Sequence, residues 1–188
     1  MPIRPPFRNL ILQTVHPAAL PEDELAKDLR FEATRSTGPG GQHRNRVATA
    51  VRLYHLPSGL QAMGTERRSQ LENKKNALFR LRLKLALEWR SPFRDEDFVP
   101  AADFRASETW RRRVRGSKVT ASPTHLDFPA LLAEVLDRLL VDEDDLEATA
   151  AAFRVSKTQL IRFLALEPQA LGALNDRRKA RGQRPLRA

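Results

Sequence analysis

Between Arg35 and Arg46 the chain reads RSTGPGGQHRNR. Three glycines and a proline surround one glutamine, and every charged side chain in the stretch is basic. An amide is too weak an acid or base to move protons itself. It does donate and accept hydrogen bonds, so it can hold a water or a hydroxyl in place. Gly40 and Gly41 reach backbone angles closed to other residues and let a substrate approach the main chain closely. That leaves the backbone N–H and the side-chain amide of Gln42 free to orient an attacking water and to stabilise a developing oxyanion, which is catalysis by positioning and electrostatics. Such a tip needs a substrate whose bond is already activated, such as an ester, because no strong nucleophile accompanies it. The arginines point to a polyanionic partner.

Glycine-rich stretches are often plain turns, and two better-known uses do not fit here. A phosphate-cradling loop needs a following GK[ST], which is absent. A dinucleotide-binding turn needs G-x-G-x-x-G opening a helix, and here the spacing fails and a strand pattern follows. His43 has a pKa suited to a general base, but no orienting carboxylate lies near it in sequence, so stacking on or hydrogen bonding to RNA fits it better. Ser36 and Ser69 have no companion His/Asp pattern that would make either a nucleophile.

Composition agrees with a nucleic-acid partner. The 188 residues carry a formal charge of +10 and a pI of about 10.9, a balance that favours nucleic acid over an anionic membrane. The absence of cysteine removes disulfides, thiolate nucleophiles and zinc fingers and fits a reducing compartment, so a cytoplasmic location is expected. No apolar run reaches the ~20 residues of a membrane span, and MPIRPPFRNL has no secretory-signal pattern. No metal or cofactor is expected.

The elements that must position the loop are read from periodicity. Residues 1–20 hold four prolines without a period and read as a flexible arm. PEDELAK (21–27) reads as a short helical turn, with proline first and acids early. Phe31–Thr34 is a strand feeding the loop. After the loop the period becomes 2, with Val47, Thr49, Val51, Leu53 and His55 on one face. Leu56-Pro57-Ser58-Gly59 is a turn, and Leu60–Thr65 is the return strand. From Arg68 to Arg90 the period is helical, and Leu78, Leu81, Leu85 and Trp89 form a stripe able to pack on the sheet. The fold class expected is α+β, a small sheet packed on a long helix, occupying residues 21–90.

Residues 91–127, with six basic residues and one acid between Arg105 and Lys118, read as a basic linker. PALLAEVLDRLL (129–140) is a helix, and the acidic VDEDD starts the next. Residues 149–164 resemble a helix-turn-helix core. Ala150 is the small residue at the crossing, Val155 the plug, Ser156 the cap of the second helix, and Leu160 and Leu164 face inward. Arg154 stands where glycine is usual. Lys157, Thr158, Gln159 and Arg162 line an exposed face that would suit DNA, rRNA or a protein, and a plain three-helix packing unit explains the pattern equally well. A small all-α domain over 128–176 and a basic tail over 177–188 complete the expected organisation.

Three blocks in order, RSTGPGGQHRNR, VATAVRLYHLPSGLQA and ERRSQLENKKNAL, resemble the catalytic domain of class I peptide chain release factors and of the related codon-independent ribosome-rescue hydrolases. The resemblance covers about residues 28–90. It implies that Gly40, Gly41 and Gln42 enter the peptidyl transferase centre and promote water attack on the ester of peptidyl-tRNA. The Gln42 backbone N–H would then be the transition-state donor and its side chain would shape the water site. Arg44 stands where family members carry valine or a similar residue, and Arg46 where lysine is frequent; both keep or add positive charge. Candidate RNA contacts are Arg35, His43, Arg44, Arg46, Arg67, Arg68, Lys74 and Lys75. Arg111, Arg112 and Arg113 in the linker and Arg177, Arg178, Lys179 and Arg181 in the tail extend the set. Ser69-Gln70 and Asn73-Lys74-Lys75 match a helix start that the family also shows, and for them capping and solvated charge remain an equal alternative to phosphate contact.

Only about 27 residues precede the match, too few for a codon-reading domain, so codon-independent rescue is the expected activity. The implied partners are the ribosome, through large-subunit rRNA and peptidyl-tRNA, and the mRNA channel through the basic linker or tail. The competing expectation is a non-catalytic RNA- or DNA-binding protein that uses the helix-turn-helix-like region.

Overall fold

The computed structural model describes residues 15–34, 49–90 and 99–187. Strands β1 (Leu29–Thr34), β2 (Ala50–His55) and β3 (Gln61–Gly64) form an antiparallel sheet in that order. The period-2 face is the buried one: Val51, Leu53 and His55 are almost fully covered, while Arg52 and Tyr54 between them keep partial exposure. The β2–β3 turn closes with Gly59 at φ 71°, and its amide donates to the His55 carbonyl at 2.9 Å. Only glycine takes that backbone angle without a Cβ penalty.

Helix α2 (Gln70–Glu88) crosses the buried face. It starts where Ser69 Oγ accepts from the Glu72 amide. Asn73, Ala77, Leu81, Leu85 and Ala86 are its buried residues. Leu81 and Leu85 lie at the centre of the stripe read from sequence, and Leu78 and Trp89 flank it half-buried. Each fully buried leucine contributes roughly 1.5–3 kcal/mol of transfer free energy. A short helix, α1 (Glu22–Ala26), precedes β1 with three acids in its first turn, as PEDELAK suggested. The fold is α+β.

Three expectations differ from the structure. The first concerns the arm over 1–20. Residues 1–14 lie outside the described residues, but 15–20 are docked. Ala18 is 1% exposed in a 3-10 turn, Pro17–Ala19. Arg82 on α2 donates to the Ala18 and Leu20 carbonyls at 2.8 and 2.6 Å. The prolines concealed a segment held by main-chain carbonyls, which leave no hydrophobic period to read.

The second concerns the linker over 91–127. Residues 91–98 lie outside the described residues, but the rest is built. It carries α3 (Glu108–Arg113) and a ribbon of β4 (Val114–Arg115) and β5 (Lys118–Val119). Trp110 is 1% exposed. Its ring packs on Phe153 and Phe163, and its indole N–H donates to the Phe153 carbonyl at 3.2 Å. One large aromatic anchors the segment, Arg111 and Arg112 beside it are exposed, and Arg113 turns to Asp127, so a count of charges does not reveal the packing.

The third concerns the tail over 177–188. Helix α7 (Pro168–Ala180) includes its first residues, and Asn175 clasps Leu186 through both backbone groups at 3.2 and 2.7 Å.

Helix α4 (Phe128–Val141) packs on α2, and their side chains belong to one continuous core running from Val51 and Leu53 through Leu81 and Leu85 to Leu131, Leu136 and Leu164. Arg90 at the end of α2 pairs with Asp137 on α4 at 2.8 Å. The sheet region and the helical region are therefore joined by apolar packing. Beyond α4, Glu143 and Asp144 both take left-handed angles (φ 52° and 64°). Asp145 then caps α5 (Leu146–Ala152) by accepting from the Glu147 and Ala148 amides. Helix α6 (Lys157–Ala165) follows, capped by Ser156. Ala150, Val155, Leu160 and Leu164 are buried as the helix-turn-helix reading required. Arg154, at the position where glycine is usual, has φ 54°.

Candidate functional site

The strand pairing Thr34↔Ala50 ends the β1–β2 ladder. Thr34 and Thr49, the described residues on either side of the loop, therefore lie at the same end of the sheet. Residues 35–48, which include Arg35, Gly40, Gly41, Gln42, His43, Arg44 and Arg46, lie outside the described residues. What the structure does show is the chain on either side of them, termed the base here.

That base is built around Asn73. Its side chain is fully buried. Nδ2 donates to the Thr49 carbonyl at 2.7 Å and to the Arg67 carbonyl at 2.8 Å, and Oδ1 accepts from the Arg67 amide at 2.8 Å. Both amide protons and the carbonyl oxygen are used. The orientation of the amide follows from its partners, because two carbonyl oxygens can face only the NH2 group. Beside it Gly64 brings β3 against the α2 backbone so closely that a Cβ would lie 2.9 Å from the Asn73 carbonyl carbon.

The base is cationic. Arg67 and Arg68, in the turn held by Asn73, are exposed, as is Lys75 on the first turns of α2. Lys74 is half-buried and faces Glu22 at 3.4 Å. Next to the turn, Arg80 donates to Glu66 at 2.6 Å and to the Met63 carbonyl at 2.7 Å. The guanidinium holds the Glu66 carboxyl below its usual pKa, so it stays ionised. On the sheet face away from α2, Arg30 lies over the Tyr54 ring at 4.3 Å and the Tyr54 hydroxyl donates to Glu32 at 2.8 Å.

The remaining basic residues read as RNA contacts divide. Arg111 and Lys179 are exposed. Arg112 pairs with Glu108 one helical turn away, and Arg113 pairs with Asp127 at 2.6 Å. Arg177 and Arg181 both face Asp144, at 2.7 and 3.1 Å, and the side chain of Asp144 is only 2% exposed. Arg178 donates to the Arg184 carbonyl at 3.1 Å. Several of these guanidinium groups thus already serve the chain itself. Arg67 and Arg68, in the turn held by Asn73, and Lys75 on α2 are exposed and have no ion pair among the described residues.

Sequence reasoning passed over Asn73 as part of a helix start and gave Gly64 no role. Two signals were available. An asparagine beyond the capping position tends to bond backbone groups elsewhere, and a glycine in a strand marks a close backbone approach.

Fold and site together define an α+β domain, an antiparallel sheet backed by a helix, in which a buried asparagine ties Thr49 to a turn that carries two exposed arginines. The sequence model described as RF-1 domain matches residues 23–116, half of the chain. The chain belongs to this family, that of the class I peptide chain release factors. Among similar proteins, peptide chain release factor PrfB1, chloroplastic, from Arabidopsis thaliana is 42% identical over 102 residues, 54% of this chain and 18% of the relative. Peptide chain release factor 1 from Ureaplasma parvum is 31% identical over 152 residues, 69% of this chain and 41% of the relative. Peptide chain release factor 2 from Lactiplantibacillus plantarum is 44% identical over 63 residues, 34% of this chain and 17% of the relative. The chain thus matches less than half the length of each.

Proposed function

We propose that the protein promotes ribosome-dependent hydrolysis of the peptidyl-tRNA ester, and does so on stalled ribosomes without reading a codon. The relatives named peptide chain release factor support the reaction class. The observation that carries the reading to this chain is the anchored base. The GPGGQ segment is strung between Thr34 and Thr49, and Thr49 is tied by a buried amide to a turn bearing two exposed arginines.

In this reading the cations of that turn and of Lys75 dock on large-subunit rRNA phosphates. Gly40 and Gly41 then let the chain approach the ester, where the Gln42 backbone N–H donates to the developing oxyanion and the side-chain amide holds the attacking water. The proton leaves through solvent and the tRNA ribose oxygen departs. No group of this protein needs a shifted pKa, which explains why an amide suffices. The exposed α6 face, with Lys157, Thr158 and Arg162, lies beyond the family match and is assigned no part in the reaction.

The test is peptide release from ribosomes carrying truncated mRNA, ribosomes halted mid-message and isolated large subunits. Gln42→Ala and Gly41→Ala should each abolish release while sparing ribosome binding. Undiminished release by both variants rejects the assignment. Release from ribosomes halted mid-message equal to that on truncated mRNA rejects rescue of empty-channel complexes in particular.

A further inference from the structure

We propose that Asn73 is a positioning residue for the hydrolysis, an inference that rests on the reaction assigned above. Its side chain, 0% exposed, is the link between three parts of the base: the segment entering β2, the Arg67 turn and the start of α2. Thr49 is the point at which the chain returns from the loop, and its carbonyl receives the Asn73 amide at 2.7 Å. Arg67 is bound through both of its backbone groups, at 2.8 Å each. One side chain therefore fixes the separation between the loop's return point and the turn that carries Arg67 and Arg68. The ladder pair Thr34↔Ala50 passes the same constraint to the loop's departure point.

Docking through the arginines and reaction through Gln42 require a fixed relation between the two. If Thr49 is free to shift against the Arg67 turn, the cations still bind phosphate, but the amide no longer arrives at the ester in register. Misplacement on the scale of an ångström costs on the order of a hundredfold in rate. The signature is thus a fall in kcat with KM preserved.

Asp at this position keeps the acceptor for the Arg67 amide but turns both donors into a carboxylate facing two carbonyls. Asn73→Asp is therefore the closest variant in shape that breaks the tether to Thr49. Steady-state release on stalled ribosomes would be measured for the full-length protein, Asn73→Asp and Asn73→Ala. Leu139→Ala, a core substitution in α4, serves as a stability control, and all assays run below the lowest melting temperature. We expect both Asn73 variants to lose about ten- to a hundredfold in kcat, with KM within about twofold of the parent. Leu139→Ala should leave kcat near the parent value. An Asn73 loss no greater than the control's, or a loss confined to KM, overturns the proposal. Gln42→Ala, assayed alongside, separates the two levels. Abolished release by Gln42→Ala together with intact kcat for Asn73→Asp discards only the positioning role. Retained release by Gln42→Ala discards the reaction on which that role stands.

Discussion

Replacing Gly64 by alanine adds a single methyl group where the sheet meets α2, and the geometry leaves it no space. The new Cβ would sit well inside van der Waals contact distance of the Asn73 carbonyl oxygen, 2.9 Å from its carbon and 3.1 Å from the Ala77 nitrogen. All three are backbone atoms on the buried face of α2, so no rotamer change relieves the overlap. Overpacking a well-filled core costs about 1–3 kcal/mol, and with only main chain to move the upper end applies. In a chain of this length each kcal/mol lowers the melting temperature by about 2–4 °C. Gly64→Ala should therefore melt about 6–12 °C below the parent. The same substitution at Gly172 provides the contrast. That residue lies inside α7, and no atom comes within 4 Å of the place its methyl would take. Here alanine brings only its better helix propensity, about 0.5–1 kcal/mol of added stability. Thermal unfolding followed by circular dichroism compares the two directly. A Gly64→Ala midpoint within about 2 °C of the parent, or shifts of equal sign for both variants, would refute the close approach of β3 to α2 and the base built on it.

Two further outcomes follow from groups outside the base. Arg138 and Asp142 form a pair at 2.6 Å with side chains only 4% and 3% exposed, and Arg138 also donates to the Val99 carbonyl at 2.6 Å. Asp142→Ala removes the carboxylate that accepts from Arg138 and from the Thr149 hydroxyl, and breaking a buried pair in this way should cost about 3–5 kcal/mol by chemical denaturation. His16 accepts from the Ala18 amide through Nδ1 at 3.0 Å, so Nε2 donates to the Trp89 carbonyl at 3.2 Å and the ring is neutral. Burial lowers its pKa below the ordinary 6.5, with Asp137 opposing and Arg90 and His55 reinforcing the shift. The unfolded chain then takes up the proton first, so this contribution to stability is whole above pH 6.5 and is lost as the pH falls below it. The melting temperature should decline through that range, and less steeply in His16→Gln. Part of the slope should remain, because burial also lowers the pKa of His55.

Where a repeating apolar pattern existed, the sequence was legible. Val51, Leu53 and His55 at period 2 and Leu81 and Leu85 at helical spacing announced the sheet and its covering helix. Ala150, Val155, Ser156 and Leu160 announced the α5–α6 pair. The segments misread were held by interactions that have no period. Trp110 is one ring among arginines, residues 15–20 are held through carbonyls bonded to Arg82, and α7 carries cations that turn inward to Asp144. Of the candidate site, the GGQ segment and its basic neighbours could be picked out by residue type. Asn73 was signalled only by its residue type beyond the helix cap, because its importance lies in which backbone groups surround it after folding. Thr49 lies 24 residues before it and Arg67 six, and folding brings backbone groups of both to one amide.

The carboxylate of Asp144 also bears on how the protein is to be trimmed. A chain shortened before Arg177 to strip off positive charge would lose both of the cations that neutralise a nearly sealed anion. One cut after Gly182 would spare them but open the clasp between Asn175 and Leu186. Either truncation removes contacts that hold the fold as well as positive charge. Individual charge-removing substitutions at Lys179 and Arg187, exposed side chains without an ion pair among the described residues, are the cleaner way to ask what the end of the chain touches.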